Sequence, residues 1–216
     1  HDLLEKMLLR TRPYERNPGD SQTIFERYLD ELCADILPHR HRIEGARGKA
    51  AVASGRHLEP FCDLLARAQR DFGAVSRCEE KRPLVGLIGE FYVRLHDRAN
   101  EDVIHKLERG GAEVWLAPMS EFLGYANRIK SELSRDEYQD THSRAAFWRW
   151  VLCGLQDWLA VRDEHRLAQA ALPYLEGYEE MSPAELIDKG EEFVHRSFGG
   201  EAICSMGKAV DFVHRH

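Results

Sequence analysis

Arg82-Pro-Leu-Val-Gly-Leu-Ile-Gly-Glu-Phe-Tyr-Val-Arg94 is the stretch that decides the predicted fold of this chain. Its apolar core, bounded by a proline and a glycine, is typical of a strand buried on both faces, which we place near 84–89. Apolar spacing then predicts a helix over 98–109, and the next apolar run predicts a second strand near 112–117. A strand, a helix and a strand within about 35 residues form a βαβ unit, so the two strands are expected to be parallel.

Helical periodicity dominates the rest of the chain. The predicted fold class is therefore α/β: a Rossmann- or flavodoxin-like parallel βαβ half-domain with a large helical portion, helix-dominated overall. Two domains are predicted. Residues 1–80 form a helical N-terminal segment that packs on the sheet, and residues 81–216 form an incomplete Rossmann-like domain with a helical insertion at about 120–198.

Proline and serine positions set the expected helix ends. A helix that starts near residue 20 is expected to end before Pro38, and residues 39–55 are predicted to be a connection or a weak helix. Pro173 is expected to end a long helical run over 134–172, which has one interruption. Ser182, followed by Pro183, predicts a helix start with the serine as N-cap.

Composition restricts the class of protein. With 43% hydrophobic and 31% charged residues over 216 positions, the chain is predicted to be an ordinary soluble globule. A net charge of −7 argues against nucleic-acid binding. No apolar run is long enough for a bilayer and no signal peptide is visible, so we expect no membrane partner and a cytoplasmic location. Both ends interrupt helical patterns, which predicts an internal piece of a longer protein.

Neither the cysteines nor the histidines predict a metal site. The five cysteines are an odd, scattered set without a CxxC pair, so most are expected to be buried small hydrophobic residues. The histidines at 39, 41 and 57 lack the spacing of a zinc site and are expected to be exposed to solvent.

The loop at 90–100, after the first predicted strand, carries the candidate ligand-binding residues: Glu90, Tyr92, Arg94 and Asn100. Ligands of parallel sheets bind beyond the carboxyl ends of the strands, and Asn100 is near the N-terminus of the next predicted helix. The alternative is a purely structural loop, in which Glu90 pairs with Arg94 and Asn100 caps the helix. No phosphate-binding glycine motif and no catalytic triad motif is present, so no catalytic residue is predicted.

An aromatic stripe is the candidate interface. Phe147, Trp148 and Trp158 recur at helical spacing together with several aliphatic residues. A base-stacking platform is disfavoured by the acidic chain, so the stripe is predicted to be core or a face covered by a neighbouring domain.

Four stretches carry a resemblance to a known family. They are Asp2-Leu-Leu-Glu-Lys-Met7 with Thr11-Arg-Pro-Tyr-Glu15, then Val85-Gly-Leu-Ile-Gly-Glu-Phe-Tyr-Val-Arg94 with Ala99-Asn-Glu-Asp-Val103, then Gly111-Ala-Glu-Val-Trp-Leu-Ala-Pro-Met-Ser-Glu121, and Gly200-Glu-Ala-Ile-Cys-Ser-Met-Gly-Lys-Ala-Val-Asp211. Together they resemble the 2-hydroxyacyl-CoA dehydratase D-component (β-subunit) superfamily, most closely the branch fused to or partnered with ATP-dependent CoA-enzyme activases.

The resemblance implies a role in a redox system. Similar proteins hold four-iron–four-sulfur or double-cubane clusters through cysteine thiolates and receive electrons from an ATP-hydrolysing activase. Their ligand motifs, a Cys segment leading to His-Gly-His and a later Pro-Phe-x-Cys-Met-Pro, do not occur here. The expectation is therefore a domain without cofactor or catalysis of its own, within an iron–sulfur parent protein whose other domains and activase are its partners. The alternatives are an interaction module that docks an activase or a second subunit through the aromatic helix, and a small-molecule-binding domain that uses loop 90–100.

Overall fold

The computed structural model describes residues 1–42, 45–195, 198 and 200–215, with side chains outside residues 35–46. Over these residues the chain is 73% helical, with ten α-helices and one small parallel sheet of two strands. The predicted dominance of helix is confirmed. Among the described helices, none combines the length and the apolar composition needed to cross a bilayer.

The elements follow one another with short connections. The N-terminal helices are α1 (Asp2–Thr11), α2 (Asp20–Arg42), α3 (Gly45–Ser54) and α4 (Glu59–Ala74). The sheet region contains β1 (Leu84–Leu87), α5 (Phe91–Leu95), α6 (Val103–Arg109) and β2 (Glu113–Leu116). The remaining helices are α7 (Met119–Thr141), α8 (Arg144–Leu175), α9 (Pro183–Glu191) and α10 (Ala202–Arg215).

Strands β1 and β2 form the predicted parallel pair. The Glu113 N–H donates to the Pro83 carbonyl at 2.9 Å, and the Ala117 N–H donates to the Leu87 carbonyl at 3.1 Å. Strand β2 is buried throughout, as predicted. Strand β1 is only half-buried, so the expectation of burial on both faces is wrong for it. The described residues supply one hydrogen-bonded neighbour to β1, whereas burial on both faces is typical of strands inside larger parallel sheets.

Two compact units divide the chain. The first unit comprises residues 1–83, 107–115 and 163–179. Its core is formed where α1, α2, α4 and the last turns of α8 meet, and the fully buried members of this core include Met7, Ala68, Phe72 and Ala171. These side chains recur at three- and four-residue spacing, which gives each helix one apolar face to bury.

The second unit comprises residues 84–106, 116–162 and 180–216. Its core contains Leu186 and Ile187 of α9, packed against Ile203 of α10. Two glycines permit this close packing. A Cβ on Gly190 would lie 2.2 Å from the Ile203 carbonyl oxygen, and a Cβ on Gly207 would lie 2.1 Å from the Leu186 carbonyl oxygen. The backbones of α9 and α10 therefore touch where side chains would otherwise separate them.

The start of α9 agrees with the sequence prediction. The Ser182 hydroxyl accepts a hydrogen bond from the Glu185 N–H at 3.3 Å, and the Glu185 carboxylate accepts one from the Ser182 N–H at 3.0 Å. This reciprocal pair satisfies N–H groups at the start of the helix, and Pro183 occupies its first position.

Two proline-based predictions are wrong. Helix α2 continues through Pro38 to Arg42, and α8 continues through Pro173 to Leu175. A proline inside a helix costs about 3 kcal/mol. For α8 this cost is offset because Ala171 and Leu175, on either side of Pro173, are buried in the core of the first unit. The segment 39–55 is also more helical than predicted, since α3 occupies most of its second half.

Candidate functional site at the carboxyl end of the sheet

The loop after β1 begins with a capped helical turn. The Glu90 carboxylate accepts a hydrogen bond from the Val93 N–H at 2.8 Å and so caps α5. Tyr92 is exposed, and its ring stacks on that of His96 with centroids 5.1 Å apart. Of the four predicted site residues, these two present side chains toward solvent, and Tyr92 offers an aromatic face.

Arg94 is the buried member of the predicted set, with 6% of its surface exposed. Its guanidinium donates to the Gly89 carbonyl and, at 3.1 Å, to the Pro118 carbonyl. Gly89 follows β1 and Pro118 follows β2, so one planar cation joins the two chain segments that leave the sheet. Its Nε is buried and has no hydrogen-bond partner among the described residues.

Asn100 fixes the end of the loop. Its side-chain amide donates to the Arg94 carbonyl at 2.9 Å, and its side-chain oxygen accepts from the Val103 N–H at 3.3 Å, at the start of α6. The following residues Glu101 and Asp102 have φ values of 56° and 59°. This left-handed backbone is uncommon for residues other than glycine, and it explains why α6 starts at Val103 rather than near residue 98.

The structural alternative for this loop is therefore met in part. Asn100 caps α6 as that alternative expects, but Glu90 caps α5, and the hydrogen bonds of Arg94 go to backbone carbonyls. The polar groups of Arg94 and Asn100 organise the loop itself.

The last stretch of the resemblance, 200–211, reaches the same loop. The Glu201 carboxylate, just before α10, accepts hydrogen bonds from the Phe91 N–H at 3.1 and 3.3 Å. Phe91 also stacks on Phe122 of α7, with ring centroids 5.3 Å apart. Loop 90–100, the turn at 118–121 and the segment 200–211 are thus brought together within the second unit.

Sequence reasoning did not single out the buried ion cluster of this unit, which consists of Lys208, Glu121 and Glu180. The Lys208 side chain is 3% exposed, and its ammonium lies 3.2 Å from a carboxylate oxygen of Glu121 and in contact with that of Glu180. Removing such charges from water is costly unless they are paired. Lys208 and Glu121 lie within stretches that resemble the family, and this was the only sequence signal that pointed to them. Glu180 lies outside those stretches, and no helical or strand spacing connects it to the other two.

Cys204 lies among the same groups and is buried. Burial, followed by the nearby charges of Glu121 and Glu201, raises the pKa of its thiol to about 12. The thiol is therefore protonated at neutral pH, and a protonated thiol is neither a good nucleophile nor a good metal ligand. Of the five free cysteines, Cys153 and Cys204 are buried, so the prediction that most are buried holds for only two.

Other clusters of polar groups lie in the first unit. His1, Asp2 and Glu5 bring three potential metal-ligand atoms within 4.8 Å of one another, and the hydrogen bond to Asp2 raises the pKa of His1. His57 pairs with Asp163 at 3.0 Å and is not the exposed residue predicted, whereas the side chains of residues 39 and 41 lie outside the described ones. A shallow cavity of about 390 Å³ is lined by Ser54, Gly55, Arg56, Leu58, Glu59, Cys62, Asp63, Arg166 and Gln169.

The aromatic stripe lies on the first part of α8, within the second unit. Trp148 and Trp158 are 59% and 58% exposed, and Phe147 is 36% exposed. Leu152 and Leu155, between the tryptophans, are also exposed. Within the described chain this face is not core.

Comparisons with known proteins add no assignment. No family model, curated protein sequence or solved structure matches this chain.

Proposed function

We propose that this chain is a sheet-bearing domain of an activase-dependent iron–sulfur reductase of the cytoplasm, similar to the D component of 2-hydroxyacyl-CoA dehydratases. In this proposal β1, α6 and β2 are the parallel half of a Rossmann- or flavodoxin-like domain. The iron–sulfur cluster is held by cysteines elsewhere in the parent protein, and an ATP-hydrolysing activase supplies its electrons.

One observation carries the proposal. Three of the four stretches that resemble the family lie together at the carboxyl ends of the strands, although the last of them is far along the chain from the other two. The contacts are those of Arg94 with the Pro118 carbonyl, Glu201 with the Phe91 N–H, and Lys208 with Glu121. Ligand sites of open parallel sheets lie at this end of the strands, which supports a shared functional origin for the three stretches.

The chemistry of the second unit supports a positioning role and not a ligand role. Cys204 is a single buried thiol with a raised pKa, and the Arg94 guanidinium donates hydrogen bonds to backbone carbonyls at both strand ends. In this proposal the domain positions the segments next to the cluster, and neighbouring domains supply the thiolate ligands.

Anaerobic reconstitution of the longer polypeptide that contains this chain tests the proposal. We expect a brown protein with charge-transfer absorbance at about 400 nm, reduced only when an activase and ATP are present. The 216-residue chain, treated in the same way, should remain colourless. A longer protein that assembles no cluster contradicts the reductase proposal, and a cluster on the isolated chain contradicts the division of roles.

A variant pair links the test to the site. Arg94→Leu should lower cluster retention or activase-dependent reduction, because the two strand ends lose their common donor. Arg98→Leu changes an exposed arginine of the same loop and is the matched control. Equal behaviour of the two variants would remove the role assigned to Arg94.

A second candidate function is supported by the exposed tryptophans of α8. Exposed, contiguous apolar surface marks interaction sites on soluble proteins, so the domain would also dock an activase or a second subunit through this helix. Replacing Trp148 and Trp158 with serine should weaken that association while leaving the helical content unchanged by circular dichroism. Unchanged association of the double variant would exclude this function.

A further inference from the structure

The exposed stripe on α8 has the spacing of a coiled-coil seam. Positions 145, 148, 152, 155, 159 and 162 alternate steps of three and four residues, and Val151 and Trp158 widen the seam on one side. Trp148, Leu152, Leu155 and Trp158 are each at least half exposed. This three-four spacing is found both in buried core faces and in exposed coiled-coil seams, so the spacing alone does not distinguish them. The exposure of these side chains shows that the face is not covered within the described chain.

The size of the stripe matches the apolar centre of a standard interface. Trp148, Val151, Leu152, Leu155, Trp158 and Val161 are between 38% and 59% exposed. At about 200 Å² for a large side chain, they present roughly 600 Å². A standard interface buries about 800 Å² on each partner, and about 65% of the area of homodimer interfaces is apolar. The stripe therefore supplies an apolar area comparable with the apolar part of one side of a standard homodimer interface.

The seam is also complementary to itself when it runs antiparallel. A two-fold axis between residues 153 and 154 places Leu152 opposite Leu155 of the second copy and Trp148 opposite Leu159. The same axis places Arg162 opposite Ala145, a small residue. In a parallel pair each seam position meets its own copy, so Arg162 would face Arg162 across the seam, and like charges at that distance repel.

We propose that a second copy of this chain docks on this face, with the two α8 helices antiparallel. This inference rests on the second candidate function above, the interaction module, and it names the partner. It is independent of the iron–sulfur proposal, because reconstitution of the cluster tests that proposal and oligomeric state tests this one.

Sedimentation equilibrium of the 216-residue chain measures the association directly. We expect a concentration-dependent monomer–dimer equilibrium between about 1 and 200 µM, a range that corresponds to the affinity of modest interfaces. The double variant Leu152→Glu and Leu155→Glu should weaken dimerisation by at least about 100-fold, since it buries charges at the centre of the seam. Leu133→Glu, on the exposed surface of α7, is the matched control and should leave the dimer intact.

Cysteine cross-linking distinguishes the two orientations. Oxidation of a mixture of Trp148→Cys and Leu159→Cys chains, both carrying Cys33→Ser to remove the exposed native thiol, should give a mixed disulfide-linked dimer. Trp148→Cys alone should not cross-link, because in the antiparallel pair its two copies are about 16 Å apart along the helix. Efficient cross-linking of Trp148→Cys with itself overturns the orientation. A chain that stays monomeric at 200 µM, or a dimer insensitive to the double glutamate variant, overturns the proposal.

Discussion

Glu113 in the first unit and Lys208 in the second are both buried charges, and their surroundings neutralise them in different ways. Glu113 is 6% exposed and accepts hydrogen bonds from the hydroxyls of Tyr14, at 2.6 Å, and Tyr178. The guanidiniums of Arg10 and Arg82 lie over the rings of these tyrosines. Lys208 instead contacts the carboxylates of Glu121 and Glu180 directly.

The two sites differ in how many groups stabilise the buried charge, and therefore in how much a single substitution should destabilise the fold. Two neutral hydroxyls each donate one hydrogen bond to the Glu113 carboxylate. Each of these bonds contributes a modest free energy, so the loss of one leaves the other in place. An ammonium held by two carboxylates leaves these two like charges close together when it is removed. The buried ion cluster of the second unit therefore depends on one side chain, Lys208.

The largest effect is expected from Lys208→Met. Loss of the ammonium leaves the carboxylates of Glu121, 8% exposed, and Glu180, 17% exposed, close together without the cation they share, and we expect a loss of about 3–5 kcal/mol in unfolding free energy. Urea denaturation followed by circular dichroism measures it. Lys189→Met is the matched control, because Lys189 pairs with Asp211, which Arg215 also contacts, and this change should cost far less. Equal losses in both variants would contradict the assignment.

Arg94→Leu should come next, with a loss of about 2–3 kcal/mol, because two backbone carbonyls at the strand ends lose a charged donor. Arg94→Lys should recover less than half, since an ammonium lacks the planar fork that reaches both oxygens. Urea denaturation of both variants gives the values. Full recovery by lysine would mean that only the positive charge matters at this position.

Tyr14→Phe and Tyr178→Phe should each cost about 1.5–2 kcal/mol, the lower part of the range for single hydrogen bonds to a charged group. Their effect should depend on pH. Burial, followed by the hydrogen bond to Glu113, raises the pKa of Tyr14 to about 12, above its ordinary 10.0, and raises that of Tyr178 for the same reasons.

The sign follows from the direction of these shifts. The folded chain holds both phenolic protons more tightly than the unfolded chain, so this stabilisation is complete below pH 10 and declines as pH rises toward 12. Urea midpoints of the wild-type chain and of the double phenylalanine variant, measured at pH 8, 10 and 11, should converge as pH rises. A difference that stays constant across this range would contradict the role of the hydroxyls.

The smallest effect is expected from Glu201→Gln. The amide oxygen still accepts from the Phe91 N–H, so stability should change by less than about 1 kcal/mol. The pKa of Cys204 should fall only slightly, because burial is the larger cause of its elevation. Iodoacetamide labelling mapped by mass spectrometry should modify the exposed Cys33 first and spare Cys204 in both proteins. Rapid labelling of Cys204 in the variant would show that Glu201, and not burial, protects it.

The sequence was sufficient where the deciding contacts are local. The parallel strand–helix–strand unit follows from apolar runs of the right length, and the start of α9 follows from Ser182 and Pro183 alone. Residues that act through neighbours distant in the chain were not accessible in this way. Lys208, Glu121 and Glu180 meet only after the second unit folds, and no spacing rule connects them.

The two prolines, Pro38 and Pro173, show where a local sequence rule gave the wrong helix end. A local rule ends a helix before Pro173, but the burial of Ala171 and Leu175 in the first unit outweighs the lost hydrogen bond. The left-handed backbone at Glu101 and Asp102 is likewise set by the loop that Asn100 closes. Aspartate adopts this conformation more often than most residues, but it does so too rarely for the residue type alone to predict it.

The glycine contact between α9 and α10 makes the ion cluster sensitive to changes that carry no charge. A methyl group at Gly190 or Gly207 would meet a carbonyl oxygen of the facing helix and force the two helices apart. Helix α10 carries Lys208, so the wedge would also lengthen the distance between its ammonium and Glu121. An alanine at either position would therefore produce an electrostatic defect from a purely steric cause.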